Sequence, residues 1–238
     1  SLEKYHCKKC GLLYTNIVKI NTVSGNNAKY HRSDGSSSFE LLRNSKVAVG
    51  IKKILDQFFP IKHANVLEIG AGSFSCIQNL CKLYPLYKFT GIEQYPERTL
   101  TNKFENLLCL EENLKNHKRF GYNIIFSNMV LEHQSDPLEF LSSCKDRLSD
   151  NGLILVIVPN GEIAHFEILF NDHFNHFTCE SMLSLANKVE LQLLEFRPCD
   201  WDLGSAFYLF SNAESIFPSS AQYSILERHC NSLDNMTI

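Results

Sequence analysis

From Phe39 to Phe59 apolar residues return at helical spacing, at Leu41, Leu42, Val47, Val49, Ile51, Ile54, Leu55 and Phe58, and Pro60 ends the run. Beyond it, short apolar runs alternate with helical stretches. Asn65–Ile69 reads as a strand that stops at glycines, and Phe74–Leu83 as a helix. A strand follows at Lys88–Ile92, a short helix at Thr99–Phe104, and strands at Leu107–Leu110 and Asn123–Ser127. Asp136 then caps a helix with Pro137 in its first turn, where a missing N–H costs nothing. Its apolar stripe is Leu138, Leu141 and Leu148, and Asn151-Gly152 is expected to end it. Leu153–Val158 is apolar throughout, the mark of a strand covered on both faces. A helix over Glu180–Val189 and strands at Leu191–Phe196 and Ala206–Phe210 complete the pattern. Repeated strand–helix units imply parallel pairing and an α/β sandwich.

The remainder divides the chain. Residues 1–38 form a separate segment with a Cys7-Lys-Lys-Cys10-Gly11 motif and a polar Ser/Asn/Gly stretch. Residues 39–212 form the α/β domain, and 213–238 a tail with little pattern. The chain opens Ser1-Leu2-Glu3 without methionine or a secretory pattern, so the native N-terminus is expected to differ. In the 238 residues no apolar run reaches the ~20 needed to span a bilayer. A net charge of −3 disfavours nucleic acid as a partner; the basic cluster at Lys115–Arg119 reads as a solvated loop. Nine dispersed cysteines, an odd number, point to free thiols and a reducing cytosol, with Cys76, Cys81, Cys109 and Cys144 expected as buried thiols.

The chemistry begins at Val66-Leu-Glu68-Ile-Gly70-Ala71-Gly72-Ser73, between the first strand and its helix. Glycines there let the backbone pass close to a ligand, and the helix start aims N–H groups at it. About 20 residues on, Gly91-Ile-Glu93 ends the second strand with a carboxylate able to accept both hydroxyls of a ribose. The two features in register are much stronger than the glycines alone. The dinucleotide reading of the same turn is disfavoured, because Gly70 and Gly72 lack the third glycine at dinucleotide spacing.

From Val66 to Val158 the chain resembles the class I S-adenosylmethionine-dependent methyltransferases. Glu68-Ile-Gly70-Ala71-Gly72 is similar to their first motif, and Glu93 to their ribose-binding acid. Asn123–His133 resembles the fourth-strand motif, and Asn151-Gly152 with Pro159-Asn160 the fifth. The resemblance implies a Rossmann-like three-layer α/β/α sandwich, with a mostly parallel seven-stranded sheet and an antiparallel last strand. S-adenosylmethionine would be the cofactor, held by Glu68, Gly70, Ala71, Gly72, Glu93, Gln94, Glu111 and Asn128. Glu112 is the alternative to Glu111 on the adenine side. Phe74 departs from the family pattern and is expected to narrow the loop.

After the fifth strand, Asn171-Asp172-His173-Phe174-Asn175-His176-Phe177-Thr178 resembles a segment of small-molecule methyltransferases from polysaccharide and antibiotic-sugar pathways. That likeness implies His173 as general base, Asp172 as its partner and His176 as a further catalytic candidate; a loop-ordering role for the pair is the plain alternative. Tyr30, Arg32, His133 and Asn160 are candidate acceptor contacts, with His31 beside the first two. For His133 the resemblance favours a structural place in the Leu-Glu-His turn. Cys7 and Cys10 have the spacing of half a zinc ribbon; with one CxxC, and His6 awkwardly placed as a third ligand, no bound zinc is expected. The expectation is a cytoplasmic methyltransferase for a small polar acceptor, a sugar nucleotide or surface-glycan precursor. The rivals are O- or N-methylation of a non-sugar molecule and a non-catalytic cofactor-binding module.

Overall fold

A computed structural model describes residues 3–15, 38–96, 104–199 and 204–212. Its elements in chain order begin with β1 (Lys4–His6), β2 (Leu13–Thr15), α1 (Ser38–Phe58), β3 (Asn65–Ile69) and α2 (Ser75–Leu83). Then come β4 (Lys88–Glu93), β5 (Leu107–Glu111), β6 (Tyr122–Asn128), α3 (Pro137–Lys145) and β7 (Leu148–Pro159). The chain closes with β8 (Asn175–His176), α4 (Cys179–Lys188), β9 (Leu191–Pro198) and β10 (Ser205–Asn212).

Seven strands form one sheet in the order β5-β4-β3-β6-β7-β10-β9. β3 to β7 run parallel, and β10 enters antiparallel between β7 and β9. Alternate side chains of each central strand feed opposite cores. Val66, Phe89, Ile124, Phe126 and Leu155 pack with Ile51, Ile54, Ile77 and Leu80 of α1 and α2. Leu67, Ile92, Ile125, Ile154 and Val156 pack with Leu141, Cys144, Met182 and Ala186 of α3 and α4. This is the expected three-layer α/β/α sandwich, and it brings the carboxyl ends of β3, β4 and β6 together along one edge.

Several expectations need correction. The helix after Asp136 ends at Lys145, not at Gly152. The buried Arg147 guanidinium donates to the Ser143 carbonyl in its last turn and to the Leu114 and His117 carbonyls, turning the chain into β7. Gly152 sits where β7 shifts register against β6; a Cβ there would lie 2.7 Å from Leu148 and 3.0 Å from the Tyr122 carbonyl. In α1 only the middle and C-terminal turns bury their stripe; Leu41, Leu42 and Val49 are exposed. Cys76, Cys81 and Cys144 are buried thiols, but Cys109, on the edge strand β5, is half-buried. The helix expected over 99–104 and the 213–238 tail lie outside the described residues, save for Phe104.

Phe74 does not narrow the loop. Its backbone takes the left-handed conformation, φ 59°, that a glycine would adopt freely, and its ring is fully buried in the core beneath the sheet. Gly91 of β4 leaves the space for that ring: a Cβ there would be 2.8 Å from it.

Candidate active site

Gly70 and Gly72 turn the chain from β3 into α2, both with positive φ. A side chain at Gly70 would strike Val130 at 2.5 Å, whereas Gly72 faces open space. Around this turn lies a cavity of 460 Å³ lined by Glu68, Gly70, Ala71, Gly72, Ser73 and Asn128, and closed on the α1 side by Arg43 and Asn44. Two acceptors are buried in the same region without a hydrogen-bond partner, Glu68 Oε2 and Asn128 Oδ1. Burial holds the Glu68 carboxyl well above the usual carboxylate range, its bond from the Ile77 N–H notwithstanding.

Glu93 ends β4 beside this turn. Its carboxylate accepts from the Gly72 N–H at 2.9 Å and the Tyr95 N–H at 3.0 Å, which fixes it against the glycine loop. Glu111 pairs with it in register on β5. Glu112 instead contacts His117 Nδ1 at 2.5 Å, so of these two acids Glu111 stands beside Glu93. Gln94 donates to the Tyr95 hydroxyl and lines a smaller 270 Å³ cavity with Asn113 and Gln134, off the glycine turn.

A second cavity of 680 Å³ adjoins the first, and the two share Phe39, Arg43 and Met129. Met129 follows β6 with a left-handed backbone, φ 56°, a strained conformation of the kind that collects at functional sites. The wall beyond it carries Glu132, His133, Glu167, Asp172 and His173, and the α1 side carries Leu42, Arg43 and Lys46. Donor atoms of Glu132, His133 and His173 lie within 4.8 Å of one another. The two imidazoles meet edge to face, centroids 4.7 Å apart. The His133 Nδ1–H donates to the Asp172 carbonyl at 2.8 Å, and its Nε2 lies 3.9 Å from Glu132 Oε1.

His173 Nδ1 lies 2.6 Å from Glu167 Oε2, a close charge contact set off the line of a good hydrogen bond. Burial pulls the His173 pKa down, but Glu167, Glu132 and Asp172 outweigh it, and the net shift is upward. Glu132 is buried with neither oxygen in a hydrogen bond, and burial pushes its pKa up to about 8.

The partner of the His173 ring is therefore Glu167 rather than Asp172, which adds charge from its place next in the chain. Neither Asp172 nor His173 caps the next helix; Thr178 does so, in a reciprocal box with Ser181. His176 faces away from the cavity. It sits in β8, where its Nε2 accepts from the Lys4 ammonium at 2.9 Å; burial and that cation lower its pKa to about 4. Asn160 is buried, and its Oδ1 accepts from the Glu162 N–H in the turn after β7, so it closes that turn instead of lining the cleft. Tyr30, His31 and Arg32 lie outside the described residues.

Cys7 and Cys10 occupy the β1–β2 turn. The Lys9 and Cys10 N–H groups and the Cys10 thiol hold the Cys7 thiol below its ordinary range. Among the described residues no third cysteine, histidine or carboxylate joins the pair within 4.8 Å.

Sequence reasoning missed Glu167, Glu132, Arg43 and Met129. Glu167 left a signal: it is the lone acid in Phe166-Glu167-Ile168-Leu169-Phe170. Arg43 left none, because nothing in the α1 pattern says which face meets a ligand.

Residues 43–195, more than half the chain, match the family model described as a methyltransferase domain. The chain belongs to that family, and its fold is that of the class I S-adenosylmethionine-dependent methyltransferases. No curated protein matches it. Among solved structures it is similar to the plantazolicin methyltransferase BpumL, in complex with a monoazolic desmethylPZN analog and SAH. There the identity is 13% and the TM-score 0.65, over 82% of this chain and 94% of that one. It is also similar to a Burkholderia thailandensis 1,6-didemethyltoxoflavin-N1-methyltransferase with bound 1,6-didemethyltoxoflavin and S-adenosylhomocysteine. The identity is 12% and the TM-score 0.65, over 89% of this chain and 100% of that one. The mitomycin 7-O-methyltransferase MmcR is 17% identical with a TM-score of 0.63, over 84% of this chain and 61% of that one.

The residues present fit the cofactor of this class. The glycines open the turn, the unpartnered Glu68 and Asn128 oxygens suit an ammonium, and the Glu93 carboxylate is fixed beside them. Glu93→Ala is expected to weaken S-adenosylhomocysteine binding by about 1.5–3 kcal/mol, the scale of a charged hydrogen bond. Titration calorimetry on the variant checks this, and an unchanged affinity removes Glu93 from the site.

Proposed function

We propose that this protein methylates a small polar acceptor held in the 680 Å³ cavity, with His173 taking the acceptor's proton. S-adenosylmethionine, when bound, supplies a methyl group already activated on a sulfonium. The protein's work is then to align the acceptor, exclude water and accept one proton. The observation that carries the reading is the His173–Glu167 contact, on the wall of a cavity that meets the cofactor cavity at Met129. A module that only stored the cofactor needs neither an acceptor-sized cavity nor an imidazole–carboxylate pair beside it.

The acceptor class we favour is a sugar nucleotide or related glycan precursor. Arg43 and Lys46 suit a diphosphate on the α1 side, and the histidine–carboxylate wall suits hydroxyls. A second reading, a flat natural-product acceptor, draws on Phe39, Phe166 and Phe170 around the same cavity and on the substrates named for the structural neighbours. A screen of sugar nucleotides and heteroaromatic compounds with methyl-labelled donor separates the two. Label in the sugar nucleotides supports the first; label only in the heteroaromatics overturns it.

The base assignment also predicts a pH profile. The neutral imidazole is the active form, so kcat/KM rises with pH through the His173 pKa, which Glu167, Glu132 and Asp172 together hold above 6.5 against burial. Glu167→Gln removes part of that support, so the acid limb is expected to move to lower pH. A limb that stays in place or moves up contradicts the pairing.

A further inference from the structure

We propose that the N-terminal hairpin is a working part of the methyl-transfer site and that Lys4 is a positioning residue for His173. The inference rests on the reading of His173 as the base. The segment from Asp172 to Phe177 has little structure of its own: its one regular element, β8, is two residues long. A side chain that must meet a reacting atom within a fraction of an ångström therefore depends on what grips this segment from outside.

It is gripped from two sides. On the β6 side, the Phe174 N–H donates to the Glu132 carbonyl at 2.8 Å, and the Asn175 amide donates to the Gln134 carbonyl at 2.7 Å. On the other side lies the hairpin. β2 pairs antiparallel with β8, matching Leu13 with His176 and Tyr14 with Asn175. The Thr15 N–H donates to the Phe174 carbonyl at 2.8 Å. The Lys4 ammonium reaches across from β1 and donates to the His173 carbonyl at 2.8 Å and to His176 Nε2 at 2.9 Å. It thus touches the main chain of the proposed base and the side chain three residues on.

Both acceptors suit a cation. A peptide carbonyl is always available, and His176, neutral at pH 7, presents a ring lone pair. The ammonium is partly buried, so its bonds are worth more than those of a surface lysine. The Cys7–Cys10 turn stiffens the clamp, with the Gly11 N–H bonded to the Cys7 carbonyl and the Cys7 N–H to the Leu12 carbonyl.

The test compares Lys4→Met and Lys4→Arg with the unaltered protein. In Lys4→Met, amide hydrogen exchange over 173–177 should accelerate by about tenfold to a hundredfold, the scale of one or two charged hydrogen bonds. S-adenosylhomocysteine affinity and melting temperature should hold. Turnover with the acceptor found in the screen should fall by roughly tenfold in kcat with KM little changed. Lys4→Arg, which keeps a cationic donor, should restore both exchange and kcat. Unchanged exchange in Lys4→Met overturns the clamp, and faster exchange with unchanged kcat overturns the positioning role. Parallel loss of cofactor binding and melting temperature overturns it too, by showing a general structural part. The exchange readout needs no acceptor, so it stands even if His173→Ala shows that the base lies elsewhere.

Discussion

His173→Ala is expected to lower turnover by about 10²–10⁴ while leaving S-adenosylhomocysteine affinity near that of the unaltered protein. The asymmetry follows from position. His173 lines the acceptor cavity and is absent from the walls of the cofactor cavity, which lies beyond Met129. Its ring is set by Glu167 at 2.6 Å and by its edge-to-face contact with His133, so the substitution would delete the proposed proton acceptor without touching Glu68, Gly70 or Glu93. His176→Ala should cost far less, and through the clamp alone, because that ring faces Lys4. Initial rates of donor consumption beside calorimetric titration decide this. Normal turnover in His173→Ala refutes the base. Lost cofactor binding moves His173 to the donor site or the fold.

Phe74→Ala is expected to destabilise the fold by about 3–5 kcal/mol, the usual cost of emptying a buried phenylalanine site. In a chain of this size that is a fall in melting temperature of roughly 6–20 °C. The left-handed backbone costs about 1–2 kcal/mol for any residue with a Cβ, and alanine keeps that strain while losing the ring. Phe74→Gly relieves the strain and should recover about that much, yet remain below the unaltered protein because the space under Gly91 stays empty. Thermal unfolding of the two variants side by side reads both terms. Equal stability of the glycine variant and the unaltered protein would show that the ring contributes no more than its backbone strain costs.

The sheet was legible because buried strands carry their own signal. Asn65–Ile69 and the apolar core of β7 declare themselves by composition, and the glycines and Glu93 follow by position at strand ends. The end of α3 was not legible. Leu148 falls at helical spacing from Leu141, yet it pairs with Tyr122, because the tertiary bonds of Arg147 turn the chain first. Phe74 misled for a related reason: the sequence reports a missing glycine, but the compensating Gly91 lies on the neighbouring strand and only the fold joins them. In the acceptor site, Asp172-His173 stood out as a pair, while the acid against the ring comes from six residues earlier in the chain. His176 carried the same residue-type signal as His173, but the alternation of a two-residue strand sends it to the hairpin.

The cavity around Gly70–Ser73 is expected to hold the cofactor of this class. Calorimetric titration of the protein with S-adenosylhomocysteine, alongside Gly70→Val, tests it. Saturable binding at one site per chain in the unaltered protein is predicted. In the variant it should be abolished, since a side chain at Gly70 meets Val130 at 2.5 Å and must displace the turn. No binding to the folded, unaltered protein, or equal binding by a folded Gly70→Val, would contradict it.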